Sequence, residues 1–66
     1  MLNNNMKILR TIKGLTQEAL ATKVSCTRQT INSIEKDKYN PSLELSLKIA
    51  EVLDCNINEL FQLRKE

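Results

Sequence analysis

Apolar positions recur at three- and four-residue intervals along most of the chain, and short polar groups of the kind that cap helices separate them. Met6, Leu9 and Ile12 predict one apolar face on a first helix that the polar run Asn3 to Asn5 introduces and Gly14 closes after about Lys13. Glycine enters the left-handed conformation that ends many helices without a steric cost, and Lys13 falls at the negative end of the helix dipole. Thr16 predicts the cap of a second helix, Gln17 to about Val24, with Leu15 and Leu20 at the two positions that close a hydrophobic staple. Ser25 and Cys26 then lead to Thr27, another cap, and Cys26 with Ile31 repeats the staple spacing. The third helix, Arg28 to about Lys36, is apolar only at Ile31 and Ile34. At about 100° per residue its opposite side carries Gln29, Asn32, Ser33 and Lys36, with Arg28 and Thr30 on the flanks.

Asp37 to Asn40 reads as a loop before Pro41, and Ser42 caps a fourth helix in which Leu43, Leu47, Ala50 and Leu53 predict the apolar face. Asp54 ends it. Asn56 and Glu59 have the spacing of a capping box for a fifth helix, and Cys55 with Leu60 that of a staple. Phe61, Gln62 and Leu63 alternate apolar and polar, which fits a short strand as well as further helix. The expected architecture is all-α, five helices in one domain over residues 1–66, with a helix-turn-helix at about 16–36.

Composition supports that picture. The 66 residues suffice for one core, and a domain of this size buries only about 60% of its unfolded surface, so large extra stabilisation would have to come from a partner. Apolar residues make up 41% and are mostly Leu, Ile, Ala and Val, with one Tyr and one Phe, a palette suited to packed helices. The apolar runs are too short to span a bilayer, and Met1 to Asn5 lacks the build of a secretory leader, so no membrane association and a cytoplasmic location are expected. Cys26 and Cys55 stand in a chain without His, too few ligands for a zinc site; both read as small core hydrophobes, and no metal or cofactor is expected. The net charge of +2 conceals an asymmetry: residues 1–40 carry seven Lys or Arg against three acids, residues 41–66 three against five. A basic face opposed to an acidic one suits an anionic partner such as nucleic acid.

Two short capped helices across a tight turn, the second with a thin apolar edge and a long polar face, are what a helix needs to protrude into a major groove about 12 Å wide. Arg28, Gln29 and Asn32 are donors and acceptors suited to base edges. Thr16 and Gln17 at the start of the second helix, and Lys36, Lys38, Tyr39 and Asn40 after the third, could hold phosphates on both sides. Catalysis is not expected, because the chain has no His, no Gly-rich phosphate loop, and no Cys or Ser with an evident base.

The segments LTQEALA, TRQTINSIEK and NPSLELSLKIA resemble the phage repressor and Cro type of helix-turn-helix, also called the xenobiotic-response-element family. The resemblance covers nearly the whole chain, and small stand-alone members share its length and the KYNPSL run. It implies a five-helix, lambda-repressor-like domain that dimerises and sets two third helices about 34 Å apart in a near-palindromic operator of double-stranded DNA, with half-sites roughly ten base pairs apart. At matching positions Gln17 would contact phosphate, Thr27, Arg28, Gln29, Asn32 and Ser33 would face the groove, and Lys38 to Asn40 would grip the backbone. Arg10 and Glu35 match a structural ion pair. Ile57, Leu60, Phe61 and Leu63 are the candidates for a self-complementary homodimer patch. If the tail is a strand, Leu2 and Asn3 are its expected partner in a short antiparallel ribbon, as in the similar small repressors. Two positions depart from the family, which usually has Gly where this chain has Ser25 and Asp37; Asp tolerates the left-handed region better than Ser, so some strain or an altered turn between the second and third helices is an expectation. Antitoxins share this domain, and on that alternative helices four and five would bind a toxin protein while DNA binding serves autoregulation. Repression is preferred to activation, since a bound dimer blocks polymerase without an activating surface.

Overall fold

The computed structural model describes residues 2–63, which run β1 (Leu2–Asn4), α1 (Met6–Ile12), α2 (Gln17–Lys23), α3 (Arg28–Glu35), α4 (Leu43–Val52), α5 (Ile57–Leu60) and β2 (Phe61–Leu63). Local hydrogen bonding sets the helix starts. The Thr16 hydroxyl accepts from Ala19 N–H at 3.0 Å, Thr27 from Thr30 N–H at 3.1 Å and Ser42 from Leu45 N–H at 3.1 Å, each satisfying an amide that the helix itself leaves unpaired. Ahead of α5, the Glu59 carboxylate reaches back to accept from Asn56 N–H at 3.1 Å.

The tail takes the strand conformation. β2 pairs antiparallel with β1 in the register Leu2 to Leu63, Asn3 to Gln62 and Asn4 to Phe61, so the expected ribbon forms and extends one residue past Asn3. Asn5 tightens the junction: its N–H donates to the Leu60 carbonyl at 2.9 Å and its side-chain amide to the Glu59 carbonyl at 2.8 Å.

All three staples close on one core. Met6, Leu20, Ala21, Val24, Ile31, Ile34, Ile49, Ala50, Leu53 and Leu60 are buried, with Leu15, Cys26 and Cys55 among the residues packed against them. Three expectations are corrected. Ile12 is 73% exposed, because two three-residue steps rotate it about 120° away from buried Met6. On α4 the inward face is Ser46, Ile49 and Ala50, continuing to Leu53, while Leu43 and Leu47 are 73% and 52% exposed. Ser46 can face inward because its hydroxyl donates to the Ser42 carbonyl at 2.8 Å, so no unpaired polar group is buried. Leu60, expected at a dimer surface, is wholly buried within the chain and has no surface to offer; Ile57 and Phe61 are half-buried and Leu63 is 78% exposed.

Of the two expectations for the turn, strain and not an altered path is what the backbone shows, since both positions keep the glycine-like conformation: φ is 61° at Ser25 and 60° at Asp37, beside 71° at Gly14. Asp37 is anchored by Asn4, whose side-chain amide donates to Asp37 Oδ1 at 2.8 Å and to the Ile34 carbonyl at 2.9 Å. Left-handed backbone costs a side-chain-bearing residue about 1–2 kcal/mol, and glycine returns roughly half of that as extra entropy in the unfolded chain. Ser25→Gly is therefore expected to stabilise the fold by about 0.5–1 kcal/mol, a rise in melting temperature of a few degrees; an unchanged or lower midpoint would contradict the strain assigned to Ser25.

Candidate nucleic-acid interface

α3 rests on the core through Ile31 and Ile34, which are 0% and 1% exposed, and a polar bracket at its C-terminal half fixes its rotation. Arg10 of α1 forks onto Glu35 of α3, Nε to Oε2 at 2.7 Å and Nη2 to Oε1 at 3.1 Å, while Nη1 donates to the Leu15 carbonyl at 2.8 Å. One guanidinium thus ties α1, the turn before α2, and α3. The hydrogen bond to Glu35 raises the Arg10 pKa above its ordinary value, against the opposing effect of burial. The Gln17 amide nitrogen donates to Glu35 Oε1 at 3.1 Å and to Asn32 Oδ1 at 3.3 Å, adding the first residue of α2 to the bracket. The ion pair expected between Arg10 and Glu35 is therefore present and architectural. Gln17, expected on phosphate, turns its amide nitrogen inward.

The opposite side of α3 is open. Thr27, Arg28 and Gln29 are exposed and Asn32 and Ser33 half-buried. Gln17, Arg28, Gln29 and Asn32 line one surface depression; Thr27, Gln29, Thr30, Ser33, Lys38 and Tyr39 line a second, so Gln29 borders both. The fold thus brings together all five residues expected at bases, and it carries Lys38 and Tyr39 of the following loop to the same surface. Thr16 and Lys36 are exposed at the N-terminal cap of α2 and the C-terminal cap of α3. Asn40 is exposed but borders a separate depression, with Tyr39, Pro41, Leu2 and Phe61, toward the ribbon. Thr30 is a wall residue that the helical wheel left on a flank; its hydroxyl lies 3.0 Å from that of Thr27, three positions earlier, and this cap spacing is the signal that could have placed it.

Among the described residues no cluster of His, Cys, Asp or Glu could hold a metal ion, and no helix is long and apolar enough to cross a membrane. Cys26 and Cys55 are free, half-buried thiols whose pKa values burial pushes up. At Cys55, Glu59 and Asp54 add to the rise and Lys13 opposes it.

A capped helix, a tight left-handed turn and a second capped helix whose narrow core edge leaves a continuous face of donors and acceptors outside together define a helix-turn-helix DNA-binding domain. A helix-turn-helix family model matches residues 6–60, and the chain belongs to that family, in its Cro/C1-type, xenobiotic-response-element branch. It is 47% identical over 60 residues to an uncharacterized HTH-type transcriptional regulator of Methanocaldococcus jannaschii, with 91% of each chain covered. To the HTH-type transcriptional regulator YgzD of Bacillus subtilis it is 42% identical over 65 residues, covering 98% of each. Among solved structures, the restriction-modification controller protein C.AhdI of Aeromonas hydrophila superimposes with a TM-score of 0.78 at 41% identity over 85% of each chain. The chain is a transcriptional regulator that binds DNA through its helix-turn-helix.

Proposed function

We propose that this regulator is a cytoplasmic repressor that binds a near-palindromic operator as a homodimer, α3 of each protomer lying in the major groove of one half-site. The observation that carries the reading is the outer α3 face of exposed Arg28 and Gln29 with half-buried Asn32, above a core edge of only Ile31 and Ile34. Thr27, Arg28, Gln29, Asn32 and Ser33 meet base edges; Thr16, Lys36, Lys38, Tyr39 and Asn40 meet the backbone on either side. Half-buried Ile57 and Phe61 with exposed Leu63 supply an apolar patch for self-association at the ribbon end.

Selection of bound duplexes from a random pool, followed by binding to the selected and to random DNA, tests this. Gln29→Ala is expected to narrow the gap between the two duplexes, removing about 1–3 kcal/mol of discrimination, because a side chain facing bases carries sequence information. Lys38→Ala is expected to weaken both equally and to reduce the salt slope by about one, because a phosphate contact displaces one counterion. Parallel losses on both duplexes for the two variants would overturn the division between base and backbone contacts. A selected pool without paired half-sites would overturn the dimeric operator.

A further inference from the structure

We infer that Asn4 is a positioning residue for the grip on the DNA backbone: from the ribbon it braces the end of α3 and the loop that carries Lys38 and Tyr39 to the reading surface. The inference rests on the proposed phosphate contact of Lys38 and deepens it.

Both ends of the Asn4 amide are committed. The Ile34 carbonyl can only accept, so the group 2.9 Å from it is the NH2, and the same nitrogen donates to Asp37 Oδ1 at 2.8 Å. Met6 N–H can only donate, and it donates to Asn4 Oδ1 at 3.2 Å. One side chain of β1 thus joins the start of α1 to the end of α3, 30 and 33 positions away. Asn4 is itself held by its pairing with Phe61 of β2, which the bond from Asn5 N–H to the Leu60 carbonyl continues.

The helix end that Asn4 braces sets the path of the loop. Asp37 N–H donates to the Ile34 carbonyl at 3.0 Å and Lys38 N–H to the Ser33 carbonyl at 2.9 Å, the paired closure that turns a chain off a helix through one left-handed residue. That residue is Asp37, at φ 60°, a conformation unfavourable to a residue with a side chain. Asn4 bonds both to the carbonyl that the closure uses and to the side chain of the strained residue. Past the closure, Lys38 and Tyr39 line the depression shared with Thr27, Gln29 and Ser33, and Tyr39 also borders the one shared with Leu2, Asn4 and Phe61. The loop is therefore seated between ribbon and reading face. Gln29 lies about 7.5 Å of helix rise before Ile34, next to the turn that Thr27 caps, so releasing Asn4 loosens the loop and spares the base-reading end.

Salt dependence separates this role from plain structural support. A lysine on a phosphate displaces a counterion; Asn4 is neutral and displaces none, so Asn4→Ala can lower the salt slope only through a lysine that it positions. Wild type, Asn4→Ala, Lys38→Ala and the double variant are compared on the selected operator and on random duplex over a range of salt. Lys38→Ala is expected to lower the slope by about one per protomer, and Asn4→Ala by a large part of the same. Asn4→Ala should weaken both duplexes ~3- to 10-fold and keep their ratio within about twofold, and the double variant should have the slope of Lys38→Ala. Circular dichroism establishes that each variant is folded, and trimethylamine N-oxide favours the compact state where Asn4→Ala alone is too unstable to measure. An unchanged slope for folded Asn4→Ala would overturn the inference and leave Asn4 a brace of the fold alone. A further fall of slope in the double variant, or a loss confined to the operator, would overturn it as well. If Lys38→Ala itself left the slope unchanged, the phosphate contact of the proposed function would fall and the inference with it, so that one variant tells the two failures apart.

Discussion

Replacing Arg10 by Met is expected to leave the chain largely unfolded near room temperature, although the substitution removes no apolar packing. The Glu35 side chain is only 5% exposed and would lose both guanidinium bonds, keeping the single donor of Gln17; the Leu15 carbonyl would lose its partner as well. Removing one member of a buried pair costs about 3–5 kcal/mol, because the remaining charge stays desolvated without compensation. A core of this size rarely supplies more than about 3–5 kcal/mol in total, so the loss is comparable to the whole stability. Urea titration followed by far-ultraviolet circular dichroism checks it, and a midpoint close to wild type would show the pair to be ornamental. Pairing the change with Glu35→Leu separates charge from shape. The doubly apolar protein should recover most of the lost stability, as buried pairs replaced by hydrophobic groups commonly do.

The parts of this fold that were legible in the sequence are those where a local rule and the tertiary structure agree. Thr16, Thr27 and Ser42 start helices because a hydroxyl at that position satisfies a nearby amide whatever surrounds it, and the staples at Leu15, Cys26 and Cys55 follow from the same local geometry. Ile31 and Ile34 were sufficient to orient α3, since two apolar residues on an otherwise polar helix leave one way to face a core. α4 misled because it carries more apolar side chains than the core accepts. Leu43, Leu47 and Ile49 cannot all face inward, and the side that is buried, Ser46 with Ile49 and Ala50, depends on neighbours that the periodicity of one helix does not contain. The direction of the Gln17 side chain was not legible, because an amide offers a donor and an acceptor and only the Glu35 carboxylate, distant in sequence, chooses between them. The conformation of Ser25 shows a turn imposed from outside: the staple of Cys26 with Ile31 and the packing of α2 on α3 hold a residue in a backbone region that Ser disfavours.

Leu60→Ala and Leu63→Ala, only three residues apart, should destabilise the protein in different ways. Leu60 is fully buried, its carbonyl accepts from Asn5 N–H at 2.9 Å, and it is the staple partner of Cys55, so truncating it opens a cavity where the two ends of the chain meet. Buried Leu→Ala changes cost about 2–5 kcal/mol, and each kilocalorie lowers the melting temperature of so small a domain by about 4–8 °C. The midpoint should fall by more than about 10 °C, by the same amount in dilute and in concentrated solution, because the lost packing lies within one chain. Leu63 is 78% exposed and supports little within the chain, but it belongs to the proposed self-association patch. Its truncation should leave the dilute midpoint unchanged and remove the rise that dimerisation produces as concentration increases, since association stabilises by mass action. A wild-type midpoint that does not rise with concentration would remove the homodimer from the proposed function while leaving the monomer fold intact. If Leu60→Ala instead reproduced the concentration-dependent behaviour expected of Leu63→Ala, Leu60 would belong to the interface and the packing of α5 against the core would be wrong.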